Sequence, residues 1–396
     1  MTSPAPETTP PPVLHWSAAD GTPQHADWRS LAGHPPPATL RLVDDRLGAD
    51  EACRLVEAGT GLLWQGDYGG ARHLLQAMTR RLEARERRPG AQPPAASPAE
   101  AFAAERQRRA RRAALLGRVL LPCGADHALL LPRAPDLREA GLAAHGPVAR
   151  PYVASLRELL GAVGAHEWRR QGVPVAALGG AHIHPHHGVF SPVRGEYVDL
   201  VAQAPLPEVV HGAGAFDIGT GTGVLAAVLA RRKLRVLATD NQPQALACAR
   251  ENLERLGLAK RVRLLQADLF PPGHAGLIVC NPPWVPAEPA SPLETAVYDP
   301  DSRMLRGFLA GLAQHLSRGG EGWLILSDIA EHLGLRSREA LLGWIHEAGL
   351  QVLGRLDTRP RHPKAQAADD PLHAARAAEV TSLWRLGVDP AARRRG

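Results

Sequence analysis

The chain has 396 residues, 44% of them apolar, with 46 Lys and Arg against 40 Asp and Glu and a formal charge of +6. That length exceeds what one hydrophobic core usually organises, so two domains are expected. No apolar run reaches transmembrane length and the start lacks a charged-then-apolar leader pattern, which leaves a soluble cytoplasmic protein without membrane partners as the expectation.

Cys53, Cys123, Cys248 and Cys280 lie far apart without a Cys-x-x-Cys pair, against both a zinc site and a disulfide framework. The basic residues are nearly all Arg, with Lys only at 233, 260 and 364, and beside the abundant Ala, Gly and Pro this looks like a genome-composition bias. Charge by itself therefore does not single out a nucleic-acid partner.

Residues 1–37, rich in Pro, Thr and Ala, read as a disordered N-terminal tail. Residues 38–180 read as a mainly helical accessory or substrate domain, with Leu and Ala at helical spacing over 49–59 and 70–86 and a Pro- and Ala-rich linker at 89–98. The next helix, 101–118, carries Arg106, Arg108, Arg109, Arg111, Arg112 and Arg118. That is enough charge to meet several phosphates, although a solvated helix face has the same pattern. Short apolar segments at 119–121 and 128–131 read as strands.

Residues 181–396 alternate apolar strands with helices, as a doubly wound α/β sheet does. Strands are expected at 215–218, 234–239, 262–266, 277–280, 323–327, 350–356 and 380–386, with helices at 223–232, 242–256, 302–316 and 337–348. The third helix has Leu305, Phe308, Leu309, Leu312 and Leu316 on one stripe, ended by Gly319 and Gly320.

Asp217-Ile218-Gly219-Thr220-Gly221-Thr222-Gly223 falls where the first of these strands turns into its helix, and glycines there let the backbone approach a ligand. A dinucleotide fingerprint wants its third glycine at position 224, which is Val224, so an NAD-dependent oxidoreductase is disfavoured. Asp240 closes the second strand, where a carboxylate can accept from both hydroxyls of a ribose. Asp268 follows the third, where it can accept from an adenine amino group while Leu269 or Phe270 covers the ring. Each Asp alone would equally serve as a helix cap.

The fourth strand ends in Cys280-Asn281-Pro282-Pro283-Trp284. Two prolines fix φ and remove donors, so the outward groups are acceptors, the Asn281 side-chain oxygen and the Pro282 carbonyl, with Trp284 as a flat neighbour. Two acceptors suit a substrate –NH2 whose lone pair is delocalised, because they favour positive charge developing on nitrogen. A turn stiffened by prolines is the structural alternative.

Asp217 to Gly223, Asp240, Asp268 and Asn281 to Trp284 resemble the ordered motifs of class I S-adenosylmethionine-dependent methyltransferases. The resemblance is to the Asn-Pro-Pro-aromatic branch, which includes the methyltransferase small domain and HemK-type families, and it spans about residues 188–386. It implies a seven-stranded Rossmann-like sheet with the last strand antiparallel. It also implies S-adenosylmethionine as cofactor, with Asp217, Gly219, Thr220, Gly221, Thr222 and Gly223 at its methionine part, Asp240 at the ribose, and Asp268 with Leu269 at the adenine. Asn281 would meet both cofactor and substrate nitrogen, within a catalytic loop Asn281, Pro282, Pro283 and Trp284. The acceptor implied is macromolecular, an RNA base or a protein glutamine; a small-molecule acceptor and a non-catalytic adenosine- or RNA-binding module are the alternatives.

Two features depart from the pattern: Trp284 stands where Tyr or Phe is usual, and residues 357–379 are long and polar. Upstream, His182, His184, His186 and His187 invite a metal reading, but no carboxylate or cysteine cluster accompanies them and methyl transfer from a sulfonium needs no Lewis acid, so no metal is expected. Phe190, Arg194 and Glu196 are candidate lid or substrate contacts, with ordinary packing as the other reading.

Overall fold

A strand whose adjacent residues are all apolar needs a layer on each face, and two sheets of this kind organise the chain. The computed structural model describes residues 10–18, 20–88, 95–192, 195–289, 294–360 and 372–391. The chain divides into one unit of residues 1–94 with 106–167 and another of 95–105 with 168–396.

The first unit contains β1 (Val13–Ser17), β2 (Pro23–Trp28), β3 (Thr39–Val43), α1 (Ala49–Glu57), β4 (Thr60–Trp64), α2 (Tyr68–Glu86), most of α3 (Pro98–Leu116), β5 (Val119–Cys123), α4 (Arg138–His145), β6 (Tyr152–Ser155) and most of α5 (Leu156–Gln171). The expected helices are present, but they pack on a mixed six-stranded sheet of order β1-β2-β6-β5-β4-β3. Its pleat sends Leu62, Trp64, Val119, Leu121, Tyr152 and Ala154 to a core shared with α1 and α2, and Leu63, Leu120 and Val153 to a smaller cluster on the other face. The central strands β4, β5 and β6 are buried on both faces and show no polar alternation, while β1, β2 and β3 are short and largely exposed, so apart from 119–121 the sheet was not evident from the sequence.

The tail expected to be disordered also needs correction. Residues 1–9 lie outside the described residues, but β1 and β2 pair antiparallel, with Val13 opposite Asp27 and Trp16 opposite Gln24. Burial of Leu14, Ala26 and Trp28 against Leu63 and Leu120 holds them there, a partner the local composition does not reveal. Of the segment 128–131 only Leu129 forms a bridge, to Cys123. The basic helix forms as α3; Arg112 is paired with Glu86 at 2.9 Å and Arg118 donates to the Gly59 carbonyl.

The second unit has a small hairpin, β7 (Val173–Pro174) with β8 (His182–Ile183), then α6 (Glu196–Gln203), α7 (Val210–Ala213), β9 (Ala215–Ile218), α8 (Val224–Arg231), β10 (Val236–Asp240), α9 (Pro243–Arg255), β11 (Val262–Gln266) and β12 (Ala275–Cys280). It ends with α10 (Arg303–His315), β13 (Leu316–Ser327), α11 (Ile329–His332), α12 (Arg338–Glu347), β14 (Leu350–Thr358), α13 (His373–Ala378) and β15 (Thr381–Val388). The seven strands run β11-β10-β9-β12-β13-β15-β14, parallel except that β15 is antiparallel to both neighbours. This is the doubly wound sheet expected from the alternation of strands and helices.

Again the pleat divides the core. Leu277, Val279, Trp323 and Ile325 face α8, while Ile278, Cys280, Leu324 and Leu326 face α10 and α12. Within the polar stretch 357–379, residues 361–371 lie outside the described residues and α13 follows them. Among the described residues no helix is long and apolar enough to cross a membrane.

Candidate active site

Parallel strands that share one direction bring their carboxyl ends, and the turns that follow, to one edge of the sheet. At the end of β9, Asp217 is buried and accepts from Thr220 Oγ1 at 2.6 Å and from the Ala226 N–H at 3.1 Å. Burial raises its carboxyl to about 6, against the pull of those two donors, with the Asp240 charge adding to the rise. Gly219, Gly221 and Gly223 all have positive φ, 71°, 53° and 79°, which glycine adopts without a steric penalty. A Cβ on Gly219 would lie 2.5 Å from Met304 Cε and one on Gly223 3.1 Å from Ala249 Cβ, whereas one on Gly221 would meet nothing within 4 Å. Thr222 is buried, its carbonyl accepting from Asn252 Nδ2 at 3.1 Å.

Asp240, at the tip of β10, faces this turn directly. Its Oδ2 accepts from the Gly221 N–H at 3.0 Å and its Oδ1 from the Gln242 N–H at 2.9 Å. Burial raises its pKa while the amides of Gln242, Gly221 and Asn241 pull it back. A carboxylate has about four lone-pair sites, so each oxygen retains capacity for a further donor. Thr239 Oγ1 donates to the Leu269 carbonyl at 2.6 Å and the Ala267 N–H to the Asp240 carbonyl at 3.2 Å, tying the tips of β10 and β11 together.

Beyond β11, Asp268 is exposed and paired with Arg303 at 3.0 Å, and Leu269 has a φ of 73°. Phe270 is not placed as a ring cover: it stacks on His315 at 4.5 Å and on Phe308 at 5.8 Å, against α10. Its apolar ring gains more from that core face than from a turn open to solvent.

The pairing of Cys280 with Ile218 sets Asn281, the next residue, beside Gly219. Pro282 is buried and Pro283 half-buried. Trp284 does not present a free indole edge: its Nε1–H donates to Asn281 Oδ1 at 2.9 Å, and its ring meets Tyr197 edge-on at 6.3 Å. One lone pair of the Asn281 oxygen is thereby occupied, and the amide is held in orientation.

The histidines upstream are engaged separately. His184 Nδ1 lies 2.7 Å from the Arg169 carbonyl, and His186 Nε2 is 2.7 Å from Glu251, whose carboxyl is held down at about 2 by His186, Arg255 and Arg169 despite its partial burial. Phe190 is exposed, Glu196 is buried at the start of α6, and Arg194 lies outside the described residues.

Two neighbours of the site went unread in the sequence. Asp299 is buried and accepts from the Met304 and Leu305 amides at 2.9 to 3.2 Å, closing the start of α10, and Met304 reaches Gly219. The cluster Asp299-Pro300-Asp301-Ser302 upstream of the apolar stripe is a cap signal that would have located the first; nothing local marks the second.

Residues 180–338 match the family model described as the methyltransferase small domain. The release factor glutamine methyltransferase of Cereibacter sphaeroides is 35% identical over 170 residues, 38% of this chain and 58% of its own. That of Geobacter sulfurreducens is 29% identical over 38% of this chain and 56% of its own, so the chain spans a little over half the length of these relatives. That of Xylella fastidiosa is 32% identical over 260 residues, 58% of this chain and 87% of its own. The residues at the strand tips fit the cofactor of such enzymes: Gly221 has an open flank, Asp240 has acceptor capacity for paired hydroxyls, and the Asn281 loop follows the adjacent strand. With this extent of likeness, the chain belongs to the class I S-adenosylmethionine-dependent methyltransferases, in the Asn-Pro-Pro-aromatic branch of the methyltransferase small domain and HemK-type enzymes.

Proposed function

We propose that the chain methylates the side-chain amide nitrogen of a glutamine in a protein acceptor, using S-adenosylmethionine. The observation that carries this reading is the adjacency of Asn281, oriented by Trp284, to the glycine turn that Asp240 holds. The names of the relatives, release factor glutamine methyltransferases, favour a protein amide over an RNA base as the acceptor.

In this reading Asp240 receives the ribose hydroxyls, Asp268 the adenine amino group beside Leu269, and residues 217–223 line the methionine part. The cofactor supplies a methyl group on a positively charged sulfur. The chain supplies orientation and charge stabilisation: the second lone pair of Asn281 Oδ1 and the Pro282 carbonyl accept the two amide N–H bonds. They fix the nitrogen and favour the positive charge that grows on it as the methyl is transferred. The Trp284 indole N–H fixes the orientation of the Asn281 amide and leaves one lone pair of Oδ1 for a substrate N–H.

The test is incubation with radiolabelled cofactor and a purified bacterial release factor. Wild type is expected to label the protein at glutamine. Asn281→Ala should lose about 100-fold or more in turnover while calorimetric cofactor affinity stays nearly constant; equal losses in both would refute the substrate role of Asn281.

A further inference from the structure

One buried guanidinium near the Asn281 loop has hydrogen-bond donors without acceptors among the described residues. Arg336, on the turn between α11 and α12, is only 6% exposed, and its Nε and Nη2 are closed off from solvent and meet no acceptor among the described residues. Its main chain is fixed, the N–H donating to the Ala330 carbonyl at 3.2 Å. A buried donor without an acceptor destabilises a fold, more so when charged, and folded proteins seldom keep one without a use.

The neighbouring carboxylates do not take up these donors. Asp299 and Glu331 lie close enough to favour the charge on Arg336, which burial disfavours. Yet Asp299 is engaged by the Met304 and Leu305 amides, and both oxygens of Glu331 accept from Arg338 Nε at 2.8 and 2.9 Å. The turn borders the proposed active site, because Leu333 and Leu335 pack in one cluster with Trp284 and Val285.

Nε–H and Nη2–H form one flat edge of a guanidinium, suited to oxygen acceptors in its plane. A phosphate is a poor match here, since Arg336 and Arg338 share their surroundings with Asp299, Asp328 and Glu331 and leave no positive surplus. A neutral carbonyl fits better. It cannot be the carbonyl of the reacting amide, because a donor there would draw electrons away from the nitrogen that must attack.

We infer that Arg336 is a specificity-determining residue, donating from Nε and Nη2 to a main-chain carbonyl of the protein segment that carries the reactive glutamine. The inference rests on the protein acceptor proposed above. An acceptor reaches these donors only as the surrounding loops part.

Arg336→Met and Arg336→Lys are to be compared with wild type in initial rates on a purified bacterial release factor. Cofactor affinity by calorimetry and thermal melting are measured on the same preparations. Arg336→Met should raise KM for the release factor about tenfold or more, the loss falling on KM rather than on kcat or cofactor affinity. It should melt at the same or a higher temperature, since an apolar side chain replaces a charge without hydrogen bonds. Arg336→Lys, a point donor in place of a fork, should fall between the two.

An unchanged KM in Arg336→Met, with wild type active, overturns this inference and leaves the proposed acceptor standing. A lower melting temperature with weaker cofactor binding in both variants overturns it too, by making Arg336 a structural residue. Wild type that leaves the release factor unlabelled, or labels RNA instead, overturns the acceptor reading and the inference with it.

Discussion

Asp217 illustrates how a single buried carboxyl makes stability depend on pH. Its pKa rises from 3.8 to about 6, chiefly because burial penalises the charged form. Between those values the folded chain keeps a proton that the unfolded chain has released, so stability falls as pH rises through the window. The destabilisation is absent below pH 4, complete above pH 6, and on the order of 3 kcal/mol for a shift of that size. Asp217→Asn removes the charge and keeps an oxygen for Thr220, so its stability relative to wild type should climb from pH 4 to pH 6 and then level off. Urea melts of the two proteins across that range check this; a difference independent of pH would show that Asp217 does not titrate there. At this scale the glycines and prolines were readable from the chain because their backbone demands are local. The bond from Trp284 to Asn281 was not, since three residues of separation leave the indole free to turn elsewhere.

Among the elements, α10 links core and site most directly. Its stripe buries Leu305, Phe308, Leu309 and Leu312 against β9, β12 and β13, and its first turn delivers Asp299's partners and Met304 to the glycine turn. Phe308 is fully buried, and Phe308→Ala should cost roughly 3–5 kcal/mol, read as a lower urea midpoint, at an unchanged slope, of the transition that belongs to the unit holding α10. A loss within the error of the melt would mean the helix repacks and the stripe is not what anchors it. The helical period was legible in 302–316 because one face meets solvent and one does not. The strands of the second sheet were legible for a different reason: each is a short apolar run bounded by Gly, Pro or charge. In the first sheet β1 and β2 sit among prolines and histidines that hide their pairing.

For the whole molecule, two sheets with separate cores predict unfolding that departs from a single all-or-none transition. Ligand linkage separates them. Cofactor at a hundredfold excess over its Kd should stabilise the unit that holds β9 to β15 by about 2.7 kcal/mol and leave the other calorimetric transition in place; a cofactor that moves neither would speak against the proposed site. The places of the seven strands along the chain and of the turns that follow them were already contained in the chain, because apolar period, left-handed glycines and rigid prolines act over a few residues. Which way Phe270 turns, what reaches Gly219, and the burial of the Arg336 guanidinium were decided only in three dimensions. Each depends on groups far apart in sequence meeting across packed helices and strands, and no local pattern encodes such a meeting.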